Sequence, residues 1–189
     1  VLLPCLLPMG NGWAFPFDLR RNPDLWIVPA GGGRARRNSK PPGMNPGAAW
    51  STDRGSLALA KSYQGNSELY KISPADGSGK APLTNSPSLD SSPSFSPDGS
   101  QVAFVSNRQG SPQIFIMSAS GGAVRRLTYQ GKYNQTPRWN PDSKKALIAF
   151  TGRDERGVFD VFIIDVKTQQ VTRVTQNKGS NLDPAWSPD

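Results

Sequence analysis

Short apolar runs recur along the chain at a nearly fixed interval. Leu25-Trp26-Ile27-Val28, Leu69-Tyr70-Lys71-Ile72, Ile114-Phe115-Ile116-Met117 and Val161-Phe162-Ile163-Ile164 are rich in β-branched and aromatic side chains. Runs this short with that composition predict strands rather than helices. Their aromatics, Trp26, Tyr70, Phe115 and Phe162, lie 44, 45 and 47 residues apart. A second marker keeps the same step: Pro, any residue, an aromatic, Ser or Asn, a variable position, Asp. It reads Pro93-Ser94-Phe95-Ser96-Pro97-Asp98-Gly99, Pro137-Arg138-Trp139-Asn140-Pro141-Asp142-Ser143 and Pro184-Ala185-Trp186-Ser187-Pro188-Asp189, with a looser copy at Ala48-Ala49-Trp50-Ser51-Thr52-Asp53-Arg54-Gly55. The anchor aromatics Trp50, Phe95, Trp139 and Trp186 are 45, 44 and 47 apart, and Leu83-Thr84, Leu127-Thr128 and Val174-Thr175 form a third series with steps of 44 and 47. Three markers in one register are internal repeats, so one structural unit is copied along the chain.

Each copy predicts four short strands. In the third copy Phe95 ends the first, and Ser96-Pro97-Asp98-Gly99 makes a turn in which Pro presets φ and Gly tolerates the exit geometry. Gln101 to Ser106 alternates, Asn107 to Gly110 turns, Gln113 to Ser118 follows, and Val124 to Thr128 closes the unit after Ser120-Gly121-Gly122. Strands of about five residues separated by turns every 8–12 residues predict antiparallel all-β structure. Four strands in 44–47 residues is the size of one β-propeller blade. The predicted fold is therefore all-β: a β-propeller segment of about four four-stranded antiparallel blades. The repeats run over about 4–47, 48–92, 93–136 and 137–183, with a further one starting at 184–189, all within one segment spanning 1–189. In this register Leu6 falls opposite Phe95, and Pro4, Pro8 and Gly10 opposite Pro93, Pro97 and Gly99. Val1 to Gly10 is thus expected to be a worn anchor, not a targeting segment. Because the chain starts and stops inside the anchor pattern, it is expected to be a piece of a longer protein.

Composition narrows the chemistry. With 19 Gly and 18 Pro in 189 residues, a helical bundle is excluded. Cys5 is the single cysteine, so no internal disulfide forms, and there is no histidine. That removes Ser-His-Asp and Cys-His catalysis and every His-ligated metal site from this chain. No Gly-x-Ser-x-Gly elbow occurs. Gly77-Ser78-Gly79-Lys80 echoes a phosphate loop, but Ala81-Pro82 follows it and it occupies a hairpin position. The chain is accordingly expected to be non-catalytic, with no cofactor and no metal. Net charge is +8, densest at Arg34, Arg36, Arg37 and Lys40 among loop-forming residues, which predicts a solvated loop. The aromatics follow the core period instead of standing beside basic residues, so nucleic acid is not the expected partner. No run approaches the ~18 apolar residues of a membrane-spanning helix.

The anchor residues Trp50, Asp53, Pro93, Phe95, Asp98, Pro137, Trp139, Asp142, Pro184, Trp186 and Asp189 are expected to be structural. Their aromatics fill the space between blades, and their carboxylates accept turn N–H groups. Candidate partner-binding positions are of two kinds. Asp24, Glu68, Gln113 and Asp160 precede the strand aromatics by two residues and are polar in all four copies. They form either a polar ring at a propeller opening or the solvent side of an alternating strand. Asn107-Arg108 and Arg153-Asp154 are matched turn residues that either meet a partner on one propeller face or pair with a neighbouring blade. Asp154-Glu155 itself lies in a charged, solvated hairpin.

At these anchors the sequence resembles the TolB-like β-propeller repeats, bacterial relatives of the WD repeats. The pattern is Pro-x-Trp-Ser-Pro-Asp-Gly, a strand, Asn-Arg, then an Ile-Phe-Ile-Met strand. It is cleanest from Ser88 to Asp189, and Met9, Ala48, Thr52 and Ser143 depart from it. The resemblance implies that the segment belongs to a propeller of six or more blades, and that it is a non-catalytic protein-binding scaffold in an exported, periplasmic bacterial complex linked to the outer membrane. It implies a Pal-like lipoprotein as partner. The same blades form the substrate-gating propeller of prolyl oligopeptidase-type serine peptidases, whose catalytic domain lies outside the repeats. That is the second function the resemblance implies.

Overall fold

Every described element of the computed structural model is a strand. The structure describes residues 5–6, 12–18, 23–29, 31–38, 48–63, 65–79, 82–176 and 179–187. The strands are β1 (Cys5–Leu6), β2 (Gly12–Asp18), β3 (Pro23–Pro29), β4 (Arg36–Arg37), β5 (Ala48–Trp50), β6 (Leu57–Tyr63), β7 (Asn66–Ile72), β8 (Asp90–Phe95), β9 (Gln101–Ser106), β10 (Gln113–Ser118), β11 (Arg125–Arg126), β12 (Tyr133–Trp139), β13 (Leu147–Arg153), β14 (Phe159–Asp165) and β15 (Val171–Arg173). They form four sheets in simple meander order: β1-β2-β3-β4, β5-β6-β7, β8-β9-β10-β11 and β12-β13-β14-β15. Each repeat thus builds one antiparallel sheet, as a propeller blade requires. In the second sheet the fourth strand is reduced to one bridge between Tyr70 and Pro82, next to a 2.6 Å bond from Leu83 N–H to the Leu69 carbonyl. Pro4, Pro8, Met9, Gly10, Lys40, Lys80 and Asp189 lie outside the described residues.

The chain divides into two compact units, Val1–Pro93 and Ser94–Asp189. In the first unit, Ala14 and Leu25 of one sheet share a core with Trp50, Leu57, Leu59 and Ile72 of the next. In the second, Ala103, Val105, Ile114, Ile116 and Leu127 meet Trp139, Ile148, Phe150, Ile164 and Val166. Trp50 and Trp139 therefore fill equivalent places, each packed against the preceding sheet. In β9, Val102 to Ser106 are all buried, without alternation. A sheet covered on both faces has no solvent side to write into the sequence.

The anchor turns follow one scheme. Ser96 Oγ donates to Asp98 Oδ1 at 2.5 Å and accepts the Gln101 N–H at 2.9 Å, while Asp98 Oδ1 also takes the Ser100 N–H at 3.1 Å. Gly99 adopts φ +73, the left-handed geometry that suits glycine there. Ser51 and Asp53 repeat the arrangement, with Ser51 Oγ accepting from Ser56 N–H at 3.0 Å. In the last sheet Asn140 replaces Ser, and its Oδ1 takes the Asp142 N–H at 2.9 Å. Three residues ahead of Phe95, Trp139 and Trp186 a non-glycine residue sits at positive φ: Ser92 (51°), Thr136 (49°) and Asp183 (54°). At Thr136 it coincides with a register shift between Gln135 and Arg138, a bulge that re-aims the strand before its proline.

Candidate functional site

The polar position of each repeat sits at the start of the third strand of its sheet, and in the second unit it is covered. Asp160 is fully buried and Gln113 is 1% exposed. Gln113 lies in a strand buried from 113 to 117, and Asp160 is enclosed by Thr175, Arg173 and Asn181.

Each of these side chains is the centre of a clasp. Asp160 Oδ1 accepts from Thr175 Oγ1 at 2.7 Å and Asn181 Nδ2 at 3.1 Å, and Oδ2 takes the Arg173 guanidinium. Thr175 Oγ1 in turn accepts the Val161 N–H at 3.0 Å. Gln113 Oε1 accepts from Thr128 Oγ1 at 2.7 Å and Asn134 Nδ2 at 2.8 Å, and Thr128 Oγ1 takes the Ile114 N–H at 2.9 Å. In the first unit Glu68, half-buried, accepts from the Thr84 hydroxyl and from Ser86 N–H at 2.7 Å, and Thr84 takes the Leu69 N–H at 3.0 Å. So one polar side chain, a threonine 15 or 16 residues after it and a donor further along the chain recur three times. The Asp160 carboxyl is held below the usual carboxylate range, first by the Thr175 hydroxyl, then by Arg173 and Asn181, against the opposing effect of burial. Asp24 occupies the corresponding place by its backbone, opposite Phe17 in β2.

The turn residues stand at the same end of the strands. Arg108 Nε donates to Ser106 Oγ at 2.9 Å, and its guanidinium lies 5.5 and 5.2 Å from the Phe104 and Phe115 rings. Asn107 accepts the Gly110 N–H through its backbone carbonyl at 2.9 Å. Arg153 lies 5.6 Å from the Phe159 ring, and Asp154 Oδ1 accepts the N–H groups of Arg156 and Val158, both at 3.0 Å. Beside this turn is a cavity of about 210 Å³, walled by Phe150, Phe162 and Val171 and lipped by Asn134, Arg153 and Arg173. Phe150 and Phe162 stack at 5.6 Å. Gly152 keeps this stack open, because a Cβ there would stand 2.9 Å from the Phe162 ring. The structure thus brings Arg153, Asp154 and the Asp160 clasp to one apolar socket with a polar lip. Such a socket takes an apolar side chain and orients what surrounds it. Among the described residues, no group of three or more Cys, Asp or Glu is placed to hold a metal ion.

Sequence reasoning passed over Asn134, Asn181, Ser86 and Arg173. The signal was present: Gln113 and Asp160 stand 15 residues before their threonines and 21 before their asparagines in both copies.

A family model described as the TolB beta propeller domain matches residues 2–156. A 44-residue stretch, 23% of this chain, is 54% identical to 10% of the Tol-Pal system protein TolB of Myxococcus xanthus (strain DK1622). The crystal structure of TolB from Acinetobacter baumannii superposes with TM-score 0.84 at 27% identity over 95% of this chain, which spans 44% of that protein. A puromycin hydrolase structure superposes with TM-score 0.71 at 17% identity, over 90% of this chain and 28% of that one, a likeness of fold alone.

Proposed function

Because the chain belongs to the TolB β-propeller family, we propose that it is part of a non-catalytic scaffold that binds a protein partner in an exported, periplasmic complex of the Tol-Pal kind. The partner class is an outer-membrane lipoprotein of the Pal type. The observation that carries this reading is the socket beside Arg153 and Asp154, an apolar cavity with a charged lip at the turn end of the last sheet. The clasps engage Glu68, Gln113 and Asp160 within the protein, and recognition falls to the turns and linkers. With no histidine in the sequence, a Ser-His-Asp or Cys-His site cannot form within this chain.

The test is calorimetric titration of the protein containing this chain with the Pal-type lipoprotein of the same organism. Binding that weakens by about tenfold or more in Arg153→Glu supports the reading, since a charge reversal at a rim commonly costs that much. No heat of binding at about 100 µM partner, well above useful affinities, overturns it.

A further inference from the structure

At the other end of the same strands a second opening has different chemistry. β13 begins just after Ala146 and ends at Arg153, so the turn before it and the socket lie at opposite ends. There a cleft of about 590 Å³ is walled by Trp139, Pro97, Ala146 and Val166. Around these apolar walls stand Arg125, Lys144, Lys145 and Lys167, and one carboxylate, Asp98. That carboxylate is already engaged by the Ser96 hydroxyl at 2.5 Å, the Ser100 N–H at 3.1 Å and the Ser100 hydroxyl at 2.8 Å. Lys145 faces Asp142 at 3.8 Å, with the two side chains 61% and 40% exposed. A pair so open to solvent neutralises little. The cleft therefore carries a surplus of positive charge beside apolar walls.

The lysine pair is an addition to the repeat. Ser51 and Ser96 close their turns through N–H bonds to Ser56 and Gln101, five residues on, whereas Asn140 reaches Leu147, seven residues on. Two sheets close this turn without the extra residues, so turn closure does not require Lys144 and Lys145. The insertion lengthens the chain where it lines the cleft.

We propose that this cleft binds a short acidic peptide segment of a protein partner. Its carboxylates would meet Lys144, Lys145, Lys167 and Arg125, and an apolar side chain would lie against Trp139 and Val166. The volume falls in the range of about 300–1,000 Å³ usual for ligand sites. Three of the four cations are lysines spread around the rim, point charges suited to separated carboxylates, while a converging arginine fork would suit phosphate. Apolar walls between the charges match a chain of mixed acidic and apolar residues better than a bare anion. This goes beyond the scaffold reading, which rests on the opposite end.

The test is fluorescence anisotropy of a labelled, blocked hexapeptide of Asp, Glu and Leu, titrated with the protein containing this chain. Saturable binding is expected. It should weaken about tenfold in Lys144→Glu and in Lys167→Glu, and also as salt rises from about 50 to about 300 mM. These side chains are exposed, so their variants keep the fold, and Arg156→Glu at the other end should leave binding unchanged. Three results would overturn the proposal. One is no saturation by about 1 mM protein. Another is equal binding of the Asn, Gln and Leu counterpart. The third is full displacement by oligothymidine or inorganic phosphate at matched charge, which would assign the cleft to those anions.

Discussion

The hydroxyl of Thr175 donates to the carboxylate of Asp160 across 2.7 Å, and the hydroxyl of Thr128 does the same to the amide oxygen of Gln113 at 2.7 Å. A charged and a neutral acceptor fill the same place with the same geometry. The clasp is thus a matter of hydrogen-bond topology first and charge second. Its threonine is doubly used, as donor to the polar side chain and as acceptor of a strand N–H.

Thr128→Val removes both bonds while keeping volume. It leaves the Ile114 N–H and Gln113 Oε1 short of a partner in a buried place, a loss of about 1–3 kcal/mol. Urea unfolding checks this, and a midpoint equal to the parent's would show that the clasp contributes nothing.

Asp160 titrates below the usual carboxylate range when folded, because Thr175, Arg173 and Asn181 favour its charged form. A depressed folded value means that its contribution is complete above the unfolded value and is lost as pH falls through the folded one. Asp53 and Asp98 are depressed too, through their serine and N–H partners. The difference between parent and Asp160→Asn isolates the clasp. Unfolding midpoints of the two should converge as pH drops below the ordinary carboxylate range, and a constant gap down to strong acid would contradict the assignment.

Trp139 is 9% exposed and packed among nine other buried residues. Trp139→Ala should cost about 3–5 kcal/mol. Trp186 is half-buried and donates through Nε1 to the Arg138 carbonyl at 2.8 Å, so Trp186→Ala should cost less. Guanidinium unfolding of both variants gives the order, and the reverse order would remove Trp139 from the core.

At Gly152 an added Cβ would stand 2.8 Å from Asn134 Oδ1 and 2.9 Å from the Phe162 ring. Gly152→Ala should disturb the ring stack and the clasp asparagine together, at about 1–3 kcal/mol. Thermal unfolding and near-ultraviolet circular dichroism report it. A variant with the parent's spectrum and midpoint would mean that the ring yields without cost.

The periodicity was enough to read the sheets, because every repeat must bury the same aromatic against its neighbour. The anchors at Trp50 and Trp139 were legible for that reason. The setting of Gln113 and Asp160 was not, because a polar residue on an alternating strand suits either solvent or a buried hydrogen-bond centre, and here both are buried. Only their common spacing to a threonine and an asparagine marks them as internal. The socket at Arg153 and the cleft at Lys144 were hidden for another reason. Each depends on which residues of two sheets come together, and the cleft on a two-residue lengthening that the repeat pattern treats as an irregularity.

The clasp also has a direction in time. Gln113 is closed by Asn134 and Asp160 by Asn181, each 21 residues nearer the C-terminus. On the ribosome, at roughly 5–20 residues per second, the closing asparagine follows by about one to four seconds. During vectorial synthesis a blade is therefore complete in strands before it is locked. Each asparagine fastens the sheet made before it, so the two sheets of the second unit are locked in order from the N-terminal side.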